Sequence, residues 1–171
     1  MLTPLHIATV HGHTNAMQLL IDNGADINAI TKCGWKHISL HIASYGNNID
    51  AVQLLINNGA NINITDACGN TPLHDAVDNG HPNIIQLLID KGANINAMDN
   101  KGYTPLRYAD EDTRQLLIDN GAHSNDDSMS FLNVSYPIYR ANHDYYSNQN
   151  SDTEIYKEGW IYGRDIIYQR L

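Results

Sequence analysis

Residues 71–96 read TPLHDAVDNGHPNIIQLLIDKGANIN and contain one complete helix–turn–helix unit. Thr71 is placed to N-cap a helix, with Pro72 at the first helical position, where a missing N–H costs nothing. Leu73 and Ala76 then share one helical face. Gly80 supplies the left-handed residue that ends this short helix. A second helix carries Ile84, Ile85, Leu87, Leu88 and Ile89 around most of its circumference, and Gly92 closes it. A helix apolar on most sides needs neighbours on more than one flank. Neither helix buries its surface alone, so the unit requires copies of itself.

The copies are present. Thr3-Pro4-Leu5-His6, Ile38-Ser39-Leu40-His41, Thr71-Pro72-Leu73-His74 and Thr104-Pro105-Leu106-Arg107 begin at intervals of 35, 33 and 33 residues. Residues 19–25, 54–60, 87–93 and 116–122 follow as LLIDNGA, LLINNGA, LLIDKGA and LLIDNGA. A 33-residue period carrying TPLH, a Gly-His turn and NGADIN resembles the ankyrin repeat, and the resemblance covers about 70 % of the chain. It implies an all-α fold, a solenoid of stacked helix–turn–helix units joined by β-hairpin-like loops. On this reading the array fills residues 1–122, with units at about 3–35, 36–70, 71–103 and 104–122. An irregular tail rich in Tyr and Asn fills residues 123–171.

The 171 residues carry a net charge of −9, with only ten Lys and Arg, and these are scattered. Contact with phosphate needs grouped cations, so nucleic acid and anionic membranes are excluded as main partners. No apolar run reaches membrane-spanning length, and residues 1–30 show no signal-peptide pattern. These features predict a monomer in the cytoplasm. The Asn- and Ile-rich repeat style is similar to arrays of large DNA viruses and obligate intracellular bacteria, in which case the cytoplasm is a host's. Cys33 and Cys68 each precede a loop glycine in successive units. Stacked helical units lie roughly 8–10 Å apart, too far for a disulfide. Two thiols also fall short of a zinc site.

The units differ in informative ways. The first begins almost at Met1, without an upstream capping unit. The second replaces Thr-Pro with Ile38-Ser39, and it has Asn47 where Gly12 and Gly80 stand; Asn is the side chain best suited to a left-handed turn. The extra two residues of the 35-residue interval are expected within Trp35-Lys36-His37-Ile38. The fourth unit lacks four residues between its two helices, and Asp110-Glu111-Asp112 bring negative charge to the start of the last helix, where its dipole favours it. A shortened, polar final unit is what terminates such an array.

No nucleophile elbow, phosphate-binding glycine loop or Cys/His pair is present, so no catalytic residue, cofactor or metal is assigned. His37 and His41 are four residues apart, but His37 precedes the helix and no Glu lies between them. His6, His41 and His74 belong to the TPLH signature, and the resemblance implies that each imidazole links adjacent units. Asn28, Asn63 and Asn96 are expected to hold the turns of their own loops.

The resemblance also implies a concave face, lined by loop fingers and first helices, that binds a protein. Residues off the repeat pattern on that face are the candidate contacts. In the fingers these are Trp35, Lys36, Asp66, Asn70, Asp99, Asn100 and Tyr103, and on the first helices Ile42, Tyr45, Asp75, Asp78 and Tyr108. Trp35 and Tyr103 each follow a loop glycine, which places them as exposed anchors. The acids favour a partner with a basic patch. Two alternatives remain open: an adaptor whose tail recruits a second protein such as ubiquitin-ligase machinery, and a shortened gene product without a specific partner.

Overall fold

The computed structural model describes residues 2–32 and 34–123. The expectations for Cys33 and for the tail from residue 124 onward therefore lie outside the described residues. Among the described residues the order is α1 (Pro4–Val10), α2 (Thr14–Asp22), α3 (Ser39–Tyr45), α4 (Ile49–Asn57), α5 (Pro72–Asp78), α6 (Pro82–Asp90), a 3-10 turn (Pro105–Arg107) and α7 (Glu111–Asp119), with no strand. Each helix packs on its hairpin mate and on its counterpart in the next unit. The result is an inner row of α1, α3, α5 and the 3-10 turn, and an outer row of α2, α4, α6 and α7. This is the stacked all-α solenoid that the repeat implied.

The inner helices have seven residues each, too short to persist alone in water. Stacking stabilises them instead. Leu5, Leu40, Leu73 and Leu106 of the inner row are buried with Leu55, Leu88 and Leu117 of the outer row in one continuous core. On the outer row, Leu54, Leu87 and Leu116 pack partly against this core, whereas Leu19 of α2 is 64 % exposed.

The TPLH histidines join the units. In α5 the Thr71 N–H donates to Nδ1 of His74 at 3.1 Å, and the Thr71 hydroxyl lies 3.0 Å from the same atom. An accepting Nδ1 leaves the proton on Nε2. That N–H points to the carbonyl of Tyr103, which closes the loop leading into the next unit, 3.2 Å away. His41 repeats the arrangement, accepting from Ile38 N–H at 3.4 Å and reaching the Asn70 carbonyl at 3.0 Å. Isoleucine has no side-chain acceptor, so the second unit keeps only the histidine half of this cap. His6 bonds Thr3 at its own cap, while its buried Nε2, near the carbonyls of Ala29 and His37, makes no well-formed hydrogen bond. Burial lowers the pKa of all three rings, and that of His41 falls to about 4.

The carbonyls these rings seek close the connecting loops. Asp66 N–H donates to Asn70 O and Asp99 N–H to Tyr103 O, both at 2.9 Å, while the longer first loop closes from Thr31 N–H to His37 O at 2.8 Å. Successive loops also pair: Asn100 N–H donates to Cys68 O, and Ala67 N–H to Trp35 O. Trp35 is therefore the counterpart of Cys68, and the two extra residues fall between Thr31 and Trp35, not within the segment 35–38. The left-handed residue just before each closing position is Gly69 (φ 84°), Gly102 (φ 79°) and, in the first loop, Lys36 (φ 55°). Matching Cys33-Gly34 to Cys68-Gly69 by identity hid this register. Asn47 does take the left-handed conformation of Gly12 and Gly80, with φ 55° against 66° and 64°.

The asparagine role also differs from the expectation. The turns are held by the preceding motif residue: Asp26, Asn61 and Asn94 accept from the N–H two residues on. Asn28, Asn63 and Asn96 instead reach forward and accept from Asn61, Asn94 and His123 N–H at 2.8, 2.7 and 2.8 Å. They tie one unit to the next. In the fourth unit the deletion leaves a three-residue 3-10 turn, and Asp110 N-caps α7 by accepting from Thr113 N–H at 2.9 Å. Hydrogen bonds from Thr113 hold the Asp110 carboxyl below the usual range.

Two predictions follow from this geometry. A Cβ on Gly69 would stand 2.6 Å from the backbone nitrogen of Asn100, whereas one on Gly102 meets nothing within 4 Å. In urea unfolding, Gly102→Ala should cost about 1 kcal/mol for its left-handed backbone. Gly69→Ala should cost about 1–3 kcal/mol more, because the next loop must shift. The second concerns pH. A histidine with a depressed folded pKa binds fewer protons folded than unfolded. The stability it permits is complete above the unfolded pKa of about 6.5 and is lost as pH falls toward its folded pKa of about 4. Between pH 7.5 and 5.0, His41 should remove about 2 kcal/mol. His41→Gln should lower stability at both pH values yet shrink that drop; an equal drop in variant and parent would refute the assignment.

Candidate functional site

The inner row and the loop fingers carry the twelve candidate contacts, and the structure sorts them by what their atoms already bind. Ile42 is only 5 % exposed and belongs to the packing between α3 and its neighbours. Asp66 and Asp99 are buried as well. Asp66 Oδ1 accepts from the N–H groups of Cys68 and Asn70 at 2.8 Å each. Its Oδ2 lies 3.4 Å from Nε2 of His37. Burial pushes the Asp66 carboxyl up, but hydrogen bonds from His37 and from the loop amides outweigh it, and the net shift is downward. Asp99 accepts from Lys101 and Tyr103 N–H and from the Tyr108 hydroxyl, the last at 2.5 Å. These two carboxylates hold loop turns, as short Asp side chains do. Ile42, Asp66 and Asp99 are thus not open to a partner.

Asn70 and Asn100 are committed to the loops. The Asn70 side-chain amide donates to Asp66 Oδ2 at 3.5 Å, and the Asn100 amide donates to Ala67 O at 2.9 Å while Asn100 stays exposed. What remains outward is an aromatic and acidic set. Trp35 and Tyr103 are 40 % and 41 % exposed. They are not equivalent by position, since Tyr103 is a loop-closing residue and Trp35 stands at a loop tip. Trp35 stacks on His37 at 6.2 Å and His37 on His41 at 5.5 Å, so the two histidines do share a face. Tyr103 packs edge-on to Tyr108, with the Arg107 guanidinium 5.4 Å from its ring centre. Arg107 and Ile7 are also exposed on the inner row, outside the candidate set; Arg107 stands at the signature histidine position. Lys36 is exposed at the tip of the first loop.

Asp75, Asp78, Tyr45 and Tyr108 complete the set at the middle of the inner row. Tyr45 and Tyr108 are half-buried, and Asp78 is exposed. Asp75 is half-buried as a residue, but its Oδ2 is sealed from solvent without a hydrogen-bond partner. Burial, followed by the nearby charges of Asp66 and Asp78, raises the Asp75 pKa well above the usual carboxylate range. Desolvation by the surrounding protein raises Asp78 as well. No group of three or more His, Cys, Asp or Glu arranged to hold a metal occurs among the described residues. No helix among them is long and apolar enough to cross a membrane.

Comparison with known families agrees with this architecture. Residues 40–128 match the family model described as ankyrin repeats (3 copies), and residues 5–56 match that described as ankyrin repeats (many copies). No curated protein matches the chain. Ankyrin repeats generally serve as protein–protein interaction modules and are typically non-enzymatic. With the first of these matches alone spanning half of the chain, the protein belongs to the ankyrin-repeat family.

Proposed function

We propose that this array is a non-enzymatic binding module that holds a protein partner along its concave face, acting as a monomer in the cytoplasm. One observation carries the reading. Positions that build the stack repeat from unit to unit, namely His6, His41 and His74, and Asn28, Asn63 and Asn96, and their polar atoms are largely spent within the array. The inner-face positions do not repeat: Ile7, Ile42, Asp75 and Tyr108 share one register, and Val10, Tyr45 and Asp78 another. A surface that varies over a repetitive frame is suited to one partner's shape. Trp35, Tyr45, Tyr103 and Tyr108 supply aromatic anchors of the kind that dominate interface energetics.

The test is affinity capture from cell lysate with the full chain as bait, followed by purification of the retained protein and measurement of its Kd. Trp35→Ala with Tyr103→Ala should weaken that Kd by tenfold or more while the thermal melt stays within a few degrees of the parent. Both rings are about two-fifths exposed, so their loss leaves the core intact. Unchanged affinity for the captured protein would remove these two residues from the interface and count against the concave-face reading.

A further inference from the structure

Four helices end on an Asn-Gly pair: Asn23-Gly24 closes α2, Asn58-Gly59 α4, Asn79-Gly80 α5 and Asn120-Gly121 α7. Asparagine before glycine is prone to cyclise, because no side chain shields the glycine nitrogen and a five-membered ring closes within one chain. The fold restrains all four pairs alike. Each asparagine side-chain amide donates to the carbonyl four residues back, at 2.8 Å for Asn23 and Asn79 and 2.9 Å for Asn58 and Asn120. Each glycine N–H donates to the carbonyl three residues back, at 2.9 or 3.0 Å. Ring closure therefore waits on local opening of the last helical turn. Further restraint is unequal. Asn58 and Asn120 also donate to Gln18 and Gln86 of the preceding units, both at 3.3 Å. Asn79 and Asn120 are half-buried, and a Cβ on Gly80 would stand 3.2 Å from the Asp110 carboxyl. Asn23 is exposed, its amide is held within its own helix, and a Cβ on Gly24 would meet nothing within 4 Å. Its helix is also the least covered of the outer row, with Leu19 exposed where Leu54, Leu87 and Leu116 pack partly against the core.

We propose that Asn23-Gly24 is a site of spontaneous covalent modification in the folded array, at which water converts the asparagine to isoaspartate and aspartate through a cyclic imide. The Gly24 nitrogen, once its proton has passed to base, attacks Cγ of Asn23, and the side-chain nitrogen leaves as ammonia. Water then opens the imide. Attack at the backbone carbonyl sends the main chain through Cγ and leaves isoaspartate; attack at Cγ restores the normal chain as aspartate. The net change is one water in and one ammonia out, with no oxidation. Either product places a new negative charge at the C-terminal end of α2, the pole that disfavours it. Isoaspartate also adds one carbon to the main chain just before Ala25, whose N–H bonds the Leu20 carbonyl at 3.0 Å. Three residues further on, Asn28 holds the second unit through Asn61 N–H. A slow chemical change at this site thus loosens the first joint of the array.

The test ages the full chain at mildly alkaline pH in heavy-oxygen water, which labels only the sites that hydrolyse during ageing, and reads each site by peptide mass spectrometry. Asn23 should gain label at least threefold faster than Asn58, Asn79 or Asn120. In concentrated urea the four rates should converge, because the chemical pair is the same and the fold no longer ranks them. Gln86→Ala removes the second tie of Asn120 and should speed that site at least twofold, leaving the rate at Asn23 unchanged. Asn23→Gln forms a larger ring that closes far more slowly, so this position should stay unlabelled. Its α1 and α2 amides should keep their hydrogen-exchange protection on ageing, whereas the aged parent loses protection there. Equal rates at the four sites of the folded chain, or any other site leading, would overturn the proposal. A ranking that persists in urea would do the same, since the local sequence rather than the fold would then set it. An unchanged Asn120 rate in Gln86→Ala would overturn the restraint argued from the hydrogen bonds between units.

Discussion

The rest of the structure depends on a buried imidazole with both ring nitrogens committed. His41 and His74 accept from their own helix caps through Nδ1 and donate through Nε2 to the carbonyl that closes the next loop. One side chain therefore fixes the start of a helix, the tautomer of its ring and the position of the following unit. The array departs from this rule at its ends, and the departures have causes. His6 faces the one loop lengthened by two residues, and although the carbonyls of Ala29 and His37 act on its ring, its Nε2 makes no well-formed hydrogen bond. In the last unit Arg107 replaces histidine and the helix shrinks to a single 3-10 turn. The interaction also makes the fold sensitive to acid, because a ring pushed to a pKa of about 4 must be unfolded or strained to accept a second proton near pH 5.

A frame held by repeated polar links leaves its inner surface free to vary. Histidine, asparagine and the Asx-bonded acids Asp66 and Asp99 occupy the same places from unit to unit and consume their hydrogen-bonding capacity within the stack. The side chains at the other inner positions carry no such duty, and they are the ones that differ. In a stack whose units touch only their neighbours, such differences alter the surface without altering the register. The functional reading therefore rests on the contrast between a frame that repeats and an inner face that does not.

Much of the fold was legible in the sequence because the repeat states it several times. The helices start at Thr3, Thr71 and Thr104, as the Thr-Pro pairs indicate, and Asn47 adopts the backbone that glycine takes in the other units. The four-residue deletion appears as the truncated inner turn, with Asp110 as the cap. Less was legible in the loops. Residue identity placed Cys33-Gly34 opposite Cys68-Gly69, whereas the backbone is governed by which residue is left-handed before the closing carbonyl, and in the first loop that residue is Lys36. The contact positions were read from register alone, which does not separate an acid that faces a partner from one that holds a turn. The signal was present in Asp66 and Asp99, each followed three residues later by a left-handed glycine, an arrangement that favours an Asp-bonded turn. Nothing local marks Asp75 as unpartnered, because that depends on α3 and the 3-10 turn arriving on either side.

The central claim is that polar links between units, added to the apolar core, make the stack fold as one body. Native-state hydrogen exchange on Asn63→Ala tests it most directly, because Asn63 belongs to the second unit and binds Asn94 N–H and Gly92 O of the third. The account predicts that amides of α3 and α4 and those of α5 and α6 all lose protection, by similar free energies on the two sides of the joint. Loss confined to the loop around residues 61–66, with α5 and α6 unchanged, would show that the units are held by apolar contact alone and would contradict the account.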